Sequence, residues 1–468
     1  MLRSIFTNSF GILFSRVLGL ARDLLTASAL GANIYSDIFF VAFKLPNLFR
    51  RIFAEGAFTQ VFLPAFTRSK HKAVFSLYIF SLFFATLTLL TLLVQLYPTI
   101  ATKAIAIGFD ENKIELAAPF VAINFYYLLA IFSVTFLSTF LHYKNHFATT
   151  SFATGLLNIS LIVALLLSKD MASETIVLYL SYGVVVGGIL QLLVHVIAIY
   201  KLKLSFIFIG GVKYFSKKVS SIKKESSKFK REFLPAIWGN SAAQIAAFLD
   251  TWLASLLLSG SISYLYYANR VFQLPLALFA IATSIAIFPK VARFLKHNQH
   301  TQALEYMSKA FWFLLVLLTF STIGALILSE EIVTLLFERG AFSANDTTQT
   351  SAVLSMYMVG LIFFGINKLL LLWIYANQEQ LKAAKIASFS LASNVLFSVA
   401  LLQPMGASGL ALASSLSGIV SFILTLRAFG KQNFLAIIQK KYLIYFIISI
   451  PIFTIIIYLF KEALHVYL

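Results

Sequence analysis

The sequence predicts an all-α polytopic membrane protein of about thirteen transmembrane helices, in two six-helix halves with one more helix at the C-terminus. Three observations carry this. Of 468 residues, 60% are hydrophobic and only 12% are charged, against roughly 45–50% and about 25% in soluble domains. The apolar residues gather into segments near the ~20 residues that cross a bilayer as a helix. The net charge of +19 falls in alternate loops, as the positive-inside bias requires.

The apolar segments are 5–29, 34–63, 74–98, 118–142, 151–168, 175–200, 232–258, 263–289, 308–328, 350–376, 384–402, 408–426 and 442–460. Arg16 and Arg22 interrupt the first, which argues against a cleaved signal peptide. With a cytoplasmic N-terminus, one side holds Arg3, the Arg68–Lys72 turn, Lys144, the stretches 201–232 and 290–309, Lys382 with Lys385, and Arg427 to Lys441. Each of these loops is net positive. The opposite loops, 99–117, 169–174 and 329–349, are net negative. The basic balance therefore needs no nucleic-acid partner.

The basic stretch 201–231 divides the chain. It reads as a cytoplasmic linker or as an amphipathic helix on the inner leaflet. The expected domains are a six-helix lobe over 1–200, this linker, a second six-helix lobe over 232–430, and an additional helix within 431–468. An even number of spans per half fits parallel repeats. Phe43-Lys44-Leu45-Pro46 and Phe272-Gln273-Leu274-Pro275 echo each other in the second span of each half.

Ionisable groups inside spans are expensive and point to function. Arg16, Arg22 and Asp23 lie in the first span, and Asp37, Lys44, Arg50, Arg51 and Glu55 in the second. Asp250, Arg270 and Lys368 lie in the seventh, eighth and tenth. Asp37, Lys44 and Arg51 recur every seven residues and share one helix face. Ser15, Gly19 and Arg22 form a stripe on the first span. The first two spans, joined by a short loop, are expected to be antiparallel neighbours that present one polar, mostly cationic wall. Some internal pairing is expected, such as Arg22 with Asp23 or Asp37 and Arg51 with Glu55. The surplus of cations implies an anionic partner, which arginine grips bidentately. Asp250 reads either as a coupling-ion ligand or as a counter-ion of Arg270.

No cysteine is present, so thiolate chemistry is excluded. No phosphate-binding glycine loop occurs. His142 and His146 have a metal-pair spacing without a nearby acid, and neither metal nor cofactor is expected.

From Phe14 to Phe66 the sequence reads FSRVLGLARDLLTASALGANIYSDIFFVAFKLPNLFRRIFAEGAFTQVFLPAF. This resembles the N-terminal signature of the MurJ (MviN) lipid II flippase family, with RRIFAEGAF (Arg50–Phe58) as its most specific part. LLNIS (Leu156–Ser160), VGGILQL (Val186–Leu192) and SYLYYANR (Ser263–Arg270) extend the resemblance. The resemblance implies the multidrug/oligosaccharidyl-lipid/polysaccharide exporter superfamily and a fold of two six-helix lobes around a central cavity. It implies a transporter, not an enzyme, in the bacterial inner membrane. Such a transporter moves the undecaprenyl-pyrophosphate-linked peptidoglycan precursor, lipid II, to the periplasmic leaflet for cell-wall biogenesis and cell shape. The family's substrate-binding arginines match Arg16, Arg22, Arg50 and Arg270, with Ser15 and Asp23 beside them. Asp37, Lys44, Arg51, Glu55 and Lys368 are expected to line or gate the cavity. Expected partners are lipid II, membrane lipids and the cell-wall synthesis machinery, for a monomeric chain. The alternative reading is a flippase for another polysaccharide-linked lipid, or a cation-coupled exporter of the same superfamily. The chain departs from the family in showing thirteen apolar segments rather than fourteen, and Asn269 where an acid is frequent.

Overall fold

In the computed structural model, residues 2–52 and 58–467 are described, and the ordered elements among them are all helical. They form two compact units. The first comprises residues 1–260 and 339–342, and the second residues 261–338 and 343–468.

The first unit holds α1 (Leu2–Leu30), α2 (Ile34–Ile52), α3 (Phe58–Arg68), α4 (Lys72–Leu96), α5 (Pro98–Ile105), α6 (Glu111–Tyr143), α7 (Ala148–Leu167), α8 (Ser173–Lys201), α9 (Ser205–Lys218) and α10 (Lys223–Ala254). Local chemistry sets the breaks. Gly31, at φ 65°, ends α1, and Asn33 Oδ1 then accepts from the Tyr35 amide to start α2. Asp110 caps α6 through the Lys113 amide at 2.9 Å.

Helices in lipid gain little from apolar burial against each other, so close packing and polar clasps hold them. The α7–α8 contact runs through Gly183 and Gly187, where an added Cβ would reach 3.0 Å from Ala164 and 2.8 Å from Leu157. Ser160 Oγ donates to the Gly183 carbonyl at 2.7 Å across the same seam. A ladder of phenylalanines fills the space between α3, α4, α6 and α10. Phe58, Phe62 and Phe66 on α3 meet Phe132, Phe136 and Phe140 on α6. Phe229 and Phe233 on α10 join them. Much of the aromatic content therefore sits inside this unit rather than facing lipid. The ladder also ties α10 to the first unit, whose main stretch runs to Gly260.

The second unit holds α11 (Ser261–Pro275), a π-helical turn (Leu276–Ile281), α12 (Ala282–Lys296), α13 (His300–Ile327), α14 (Ser329–Phe337), α15 (Ala344–Met358), α16 (Leu361–Ala376), α17 (Gln380–Phe429), α18 (Lys431–Ile437) and α19 (Lys440–Tyr467). Ser343 and Asp346 close a reciprocal capping box at the start of α15. Gly406, at φ 56° and ψ −133°, kinks α17. α19 is fastened to α13 and α14: Lys461 donates to the Ile327 carbonyl at 2.9 Å and pairs with Glu331 at 3.0 Å. Phe320 and Phe453 stack at 4.2 Å.

One polar clasp recurs in both units. Asn124 on α6 donates to Ser181 on α8 at 2.9 Å, and Asn367 on α16 donates to Ser421 on α17 at 3.0 Å. These are the fourth and sixth apolar segments of each half, as a sequence repeat would place them.

Each of the thirteen apolar segments overlaps helix, the second α2 and α3 on either side of residues 53–57 and the tenth α15 and α16 on either side of the turn at 359–360. Among the described residues, nine stretches are long and apolar enough to cross a membrane. The difference has physical causes. α1 carries Arg16, Arg22 and Asp23, α2 carries Asp37, Lys44, Arg50 and Arg51, and α10 carries Gln244 and Asp250. α17 joins two apolar segments across the Gly406 kink and counts once.

Candidate functional site

A buried cationic centre lies in the first unit, where α1 meets α7. Gly19 on α1 faces Asn158 of α7, whose amide nitrogen would sit in ordinary contact, 3.6 Å, from a Cβ there. Arg22 Nη1 donates to Asn158 Oδ1 at 3.0 Å. Asn158 Nδ2 in turn donates to the Ser15 backbone carbonyl at 3.0 Å. Arg22 Nε and Nη2 both donate to Asp23 Oδ1, at 3.0 and 2.5 Å. Arg22 and Asp23 are buried, at 7% and 2% exposure. Ser15 thus contributes its carbonyl to the network, and Arg16, one residue on, is exposed.

The expected wall of α1 and α2 is built differently. α1 packs mainly on α7, and α2 mainly on α6. Adjacent spans need not be packing partners, because small residues rather than loop length choose the seam. The expected internal pairing of Arg22 is made with Asp23. Asp37 is buried and accepts from the Gly260 amide at 2.6 Å, which ties α2 to the chain just beyond α10.

On α2, Arg50 Nε donates to Asn47 Oδ1 at 3.1 Å, and Arg51 Nη1 reaches Gln244 Oε1 of α10 at 3.5 Å. Arg50 borders a small recess together with Phe49, Leu128 and Thr135. Lys44 is half-buried on the same helix. Glu55 lies outside the described residues. Asp250 is half-buried on α10.

In the second unit, Arg270 on α11 is half-buried. Its guanidinium carbon sits 4.7 Å from the Tyr266 ring centroid, and Nη2 donates to the Tyr266 hydroxyl at 2.6 Å. Gln273 donates to Asn269 one turn away. Lys368 is exposed on α16.

Chemically, Asn47, Asn158, Gln244 and Tyr266 are neutral acceptors. They orient a guanidinium without adding a counter-charge of their own, whereas Asp23 offsets the charge of Arg22; arginine is the side chain that grips phosphate and carboxylate through paired donors. Asn47 is on the α2 stripe, and Gln244 is legible beside Asp250. Asn158 and Tyr266 lie within the LLNIS and SYLYYANR stretches, but nothing in their spacing marks them as arginine partners. Among the described residues, no group of three or more His, Cys, Asp or Glu could hold a metal. His146 is engaged with Thr149 at 2.7 Å, and the His142 ring lies against Phe147.

Comparisons with known proteins agree on one family. A family model described as "Lipid II flippase MurJ" matches residues 26–468. A Helicobacter pylori strain J99 protein named "Probable lipid II flippase MurJ" is 51% identical over 422 residues, covering 88% of this chain and 92% of its own. The like-named Rhizobium tropici protein is 32% identical over 418 residues, covering 86% of this chain and 76% of its own. A solved structure described as "Lipid II flippase MurJ, inward closed conformation" superposes with a TM-score of 0.79 at 24% identity, covering 98% of both chains. An inward-facing multidrug resistance MATE family transporter of the MOP superfamily gives 0.70 at 11% identity, covering 92% of this chain and 98% of that one. At these identities the two structural matches establish the fold.

Proposed function

The chain belongs to the family of the lipid II flippase MurJ, and from that premise we propose that it carries lipid II from the cytoplasmic to the periplasmic leaflet by alternating access. The observation that carries the reading is the 51% identity over 422 residues with a lipid II flippase relative. The chain is a multi-pass membrane transporter and not an enzyme, since flipping makes and breaks no covalent bond.

Moving a pyrophosphate through hydrocarbon requires replacing its hydration shell. Arg22, Arg50 and Arg270, each oriented by a neighbouring side chain, supply paired N–H donors for that purpose, and exposed Arg16 adds charge beside Arg22. Asp23 and the Ser15 carbonyl help hold this group in place. Asp37, Lys44, Arg51, Glu55 and Lys368 line or gate the path, and Asp250 takes part in ion coupling. The charge pattern supports a cytoplasmic N-terminus and thirteen crossings. The transporter works as a monomer that delivers substrate to the cell-wall synthesis machinery. Membrane potential supplies about 2.3 kcal/mol per charge per 100 mV to such a cycle.

Complementation tests this. A bacterium depleted of its own lipid II flippase receives the wild-type chain, Arg22→Ala or Arg270→Ala at matched membrane levels. Growth with the wild type alone is the expected result. Growth with all three would remove the arginines as essential ligands. Failure of a well-inserted wild type, with lipid II retained in the inner leaflet, would overturn the substrate assignment.

A further inference from the structure

We infer that α9 and the start of α10 form a docking surface for acidic phospholipid headgroups, a role separate from substrate transport. α9 begins four residues after α8 ends. It packs beside the first turns of α4, where a Cβ at Gly211 would come within 2.8 Å of the Ala73 carbonyl. Both α4 and α8 are long and apolar enough to cross the membrane. α9 therefore lies at the level where those helices leave the hydrocarbon.

Its two faces differ. Ile207 and Gly211 turn inward and are buried, as are Leu204 just before the helix and Ile222 just before α10. Phe206, Ile209 and Val212 point outward, with 64%, 66% and 69% of their surface exposed. Spaced three apart, they share one side of the helix. The same side then continues into Lys213 and Lys217, both exposed. Along its axis the outer face thus passes from large apolar groups to ammonium groups, which matches the passage from acyl chains to headgroups.

The charge is one-sided. Lys213, Lys217, Lys218, Lys223 and Lys224 are all exposed, and no acid occurs between Ser205 and Lys224. The first acid, Glu225, is turned away: Ser69 Oγ donates to it at 2.5 Å, and the Lys70 amide reaches it at 3.5 Å. A soluble acidic partner would match the lysines but would leave Phe206, Ile209 and Val212 in water. An anionic lipid surface satisfies both sets.

The absence of cysteine makes the test direct. In the full chain, Ile209→Cys gives a single site for a nitroxide label. Depth is read from its accessibility to oxygen against a water-soluble nickel chelate, in phosphatidylcholine vesicles with and without phosphatidylglycerol. Retention of phosphatidylglycerol and phosphatidylcholine by the detergent-purified chain is measured in parallel, for wild type and for a variant with all five lysines changed to glutamine. The expected result is a label in the apolar layer, deeper when phosphatidylglycerol is present. Phosphatidylglycerol retention should fall at least threefold in the variant, with phosphatidylcholine retention and the thermal unfolding midpoint unchanged. A label that stays in water in both vesicles, or phosphatidylglycerol retention that ignores the lysines, overturns the inference. A label in water that becomes protected only on adding soluble protein would assign the surface to a protein partner instead.

Discussion

Asn158 of α7 accepts from Arg22 of α1 at 3.0 Å and passes the contact on by donating to the Ser15 carbonyl. Asn158→Leu keeps the size but removes both bonds, leaving a buried charged donor and a carbonyl to be satisfied elsewhere. A buried group left unsatisfied costs about 1–3 kcal/mol, more when charged. The variant should unfold at lower temperature in detergent and should fail to rescue flippase depletion. Asn158→Gln, which retains the amide, should recover part of both. Full rescue by the leucine variant at wild-type stability would show that Arg22 needs no partner on α7.

Gly108, just after α5, sits against the turn that follows α10. Its amide donates to Ser255 Oγ at 2.9 Å, and a Cβ there would come within 2.4 Å of the Leu256 backbone. Backbone cannot give way as a side-chain tip can. Gly108→Ala should destabilise the first unit by about 1–3 kcal/mol, the usual cost of overpacking. Chemical denaturation in detergent, read by circular dichroism, checks it. A wild-type midpoint would mean the turn is free to move.

Much of this architecture was legible beforehand. A backbone in lipid must satisfy its own hydrogen bonds, so a long apolar segment has few alternatives to helix. The thirteen segments accordingly match helical stretches. The Arg22–Asp23 pair was legible from adjacency, and the arginines from the cost of charge in a span. Pairing of helices was not. Spans one and two are joined by a short loop, which favoured α1 against α2, whereas α1 turns to α7 across Gly19, Gly155 and Asn158. Asp37 had the look of an ion-pair partner, and nothing in its spacing marked it as the acceptor of the Gly260 amide. The phenylalanine ladder was hidden because a lipid-facing Phe and a buried Phe have the same hydropathy.

Lys461 anchors α19 through Glu331 and the Ile327 carbonyl. Both side chains are shielded, at 28% and 12% exposure, so the pair is screened less than a surface one. Lys461→Met and Glu331→Gln, measured singly and together, should show a coupling energy of about 1 kcal/mol. Proteolysis after α18 should be faster in either single variant. Additive effects would mean that the Phe320–Phe453 stack holds α19 without the ion pair.

Tyr266 offers Arg270 two different interactions, a hydroxyl acceptor and a ring face. Tyr266→Phe removes only the first, and Tyr266→Leu removes both. A cation over an aromatic ring is worth roughly 0.5–2 kcal/mol, and a hydrogen bond to a charged group about 1.5–3 kcal/mol. If Arg270 must be held in one orientation to grip a pyrophosphate, transport should fall in steps, with the leucine variant lowest. The readout is the rate at which lipid II becomes accessible in the outer leaflet, at matched protein levels. A merely structural Tyr266 would lower expression and unfolding temperature in parallel with transport. An orienting Tyr266 lowers transport in the phenylalanine variant while the unfolding temperature stays near wild type. Equal transport by all three proteins would show that Arg270 finds its geometry from the substrate alone.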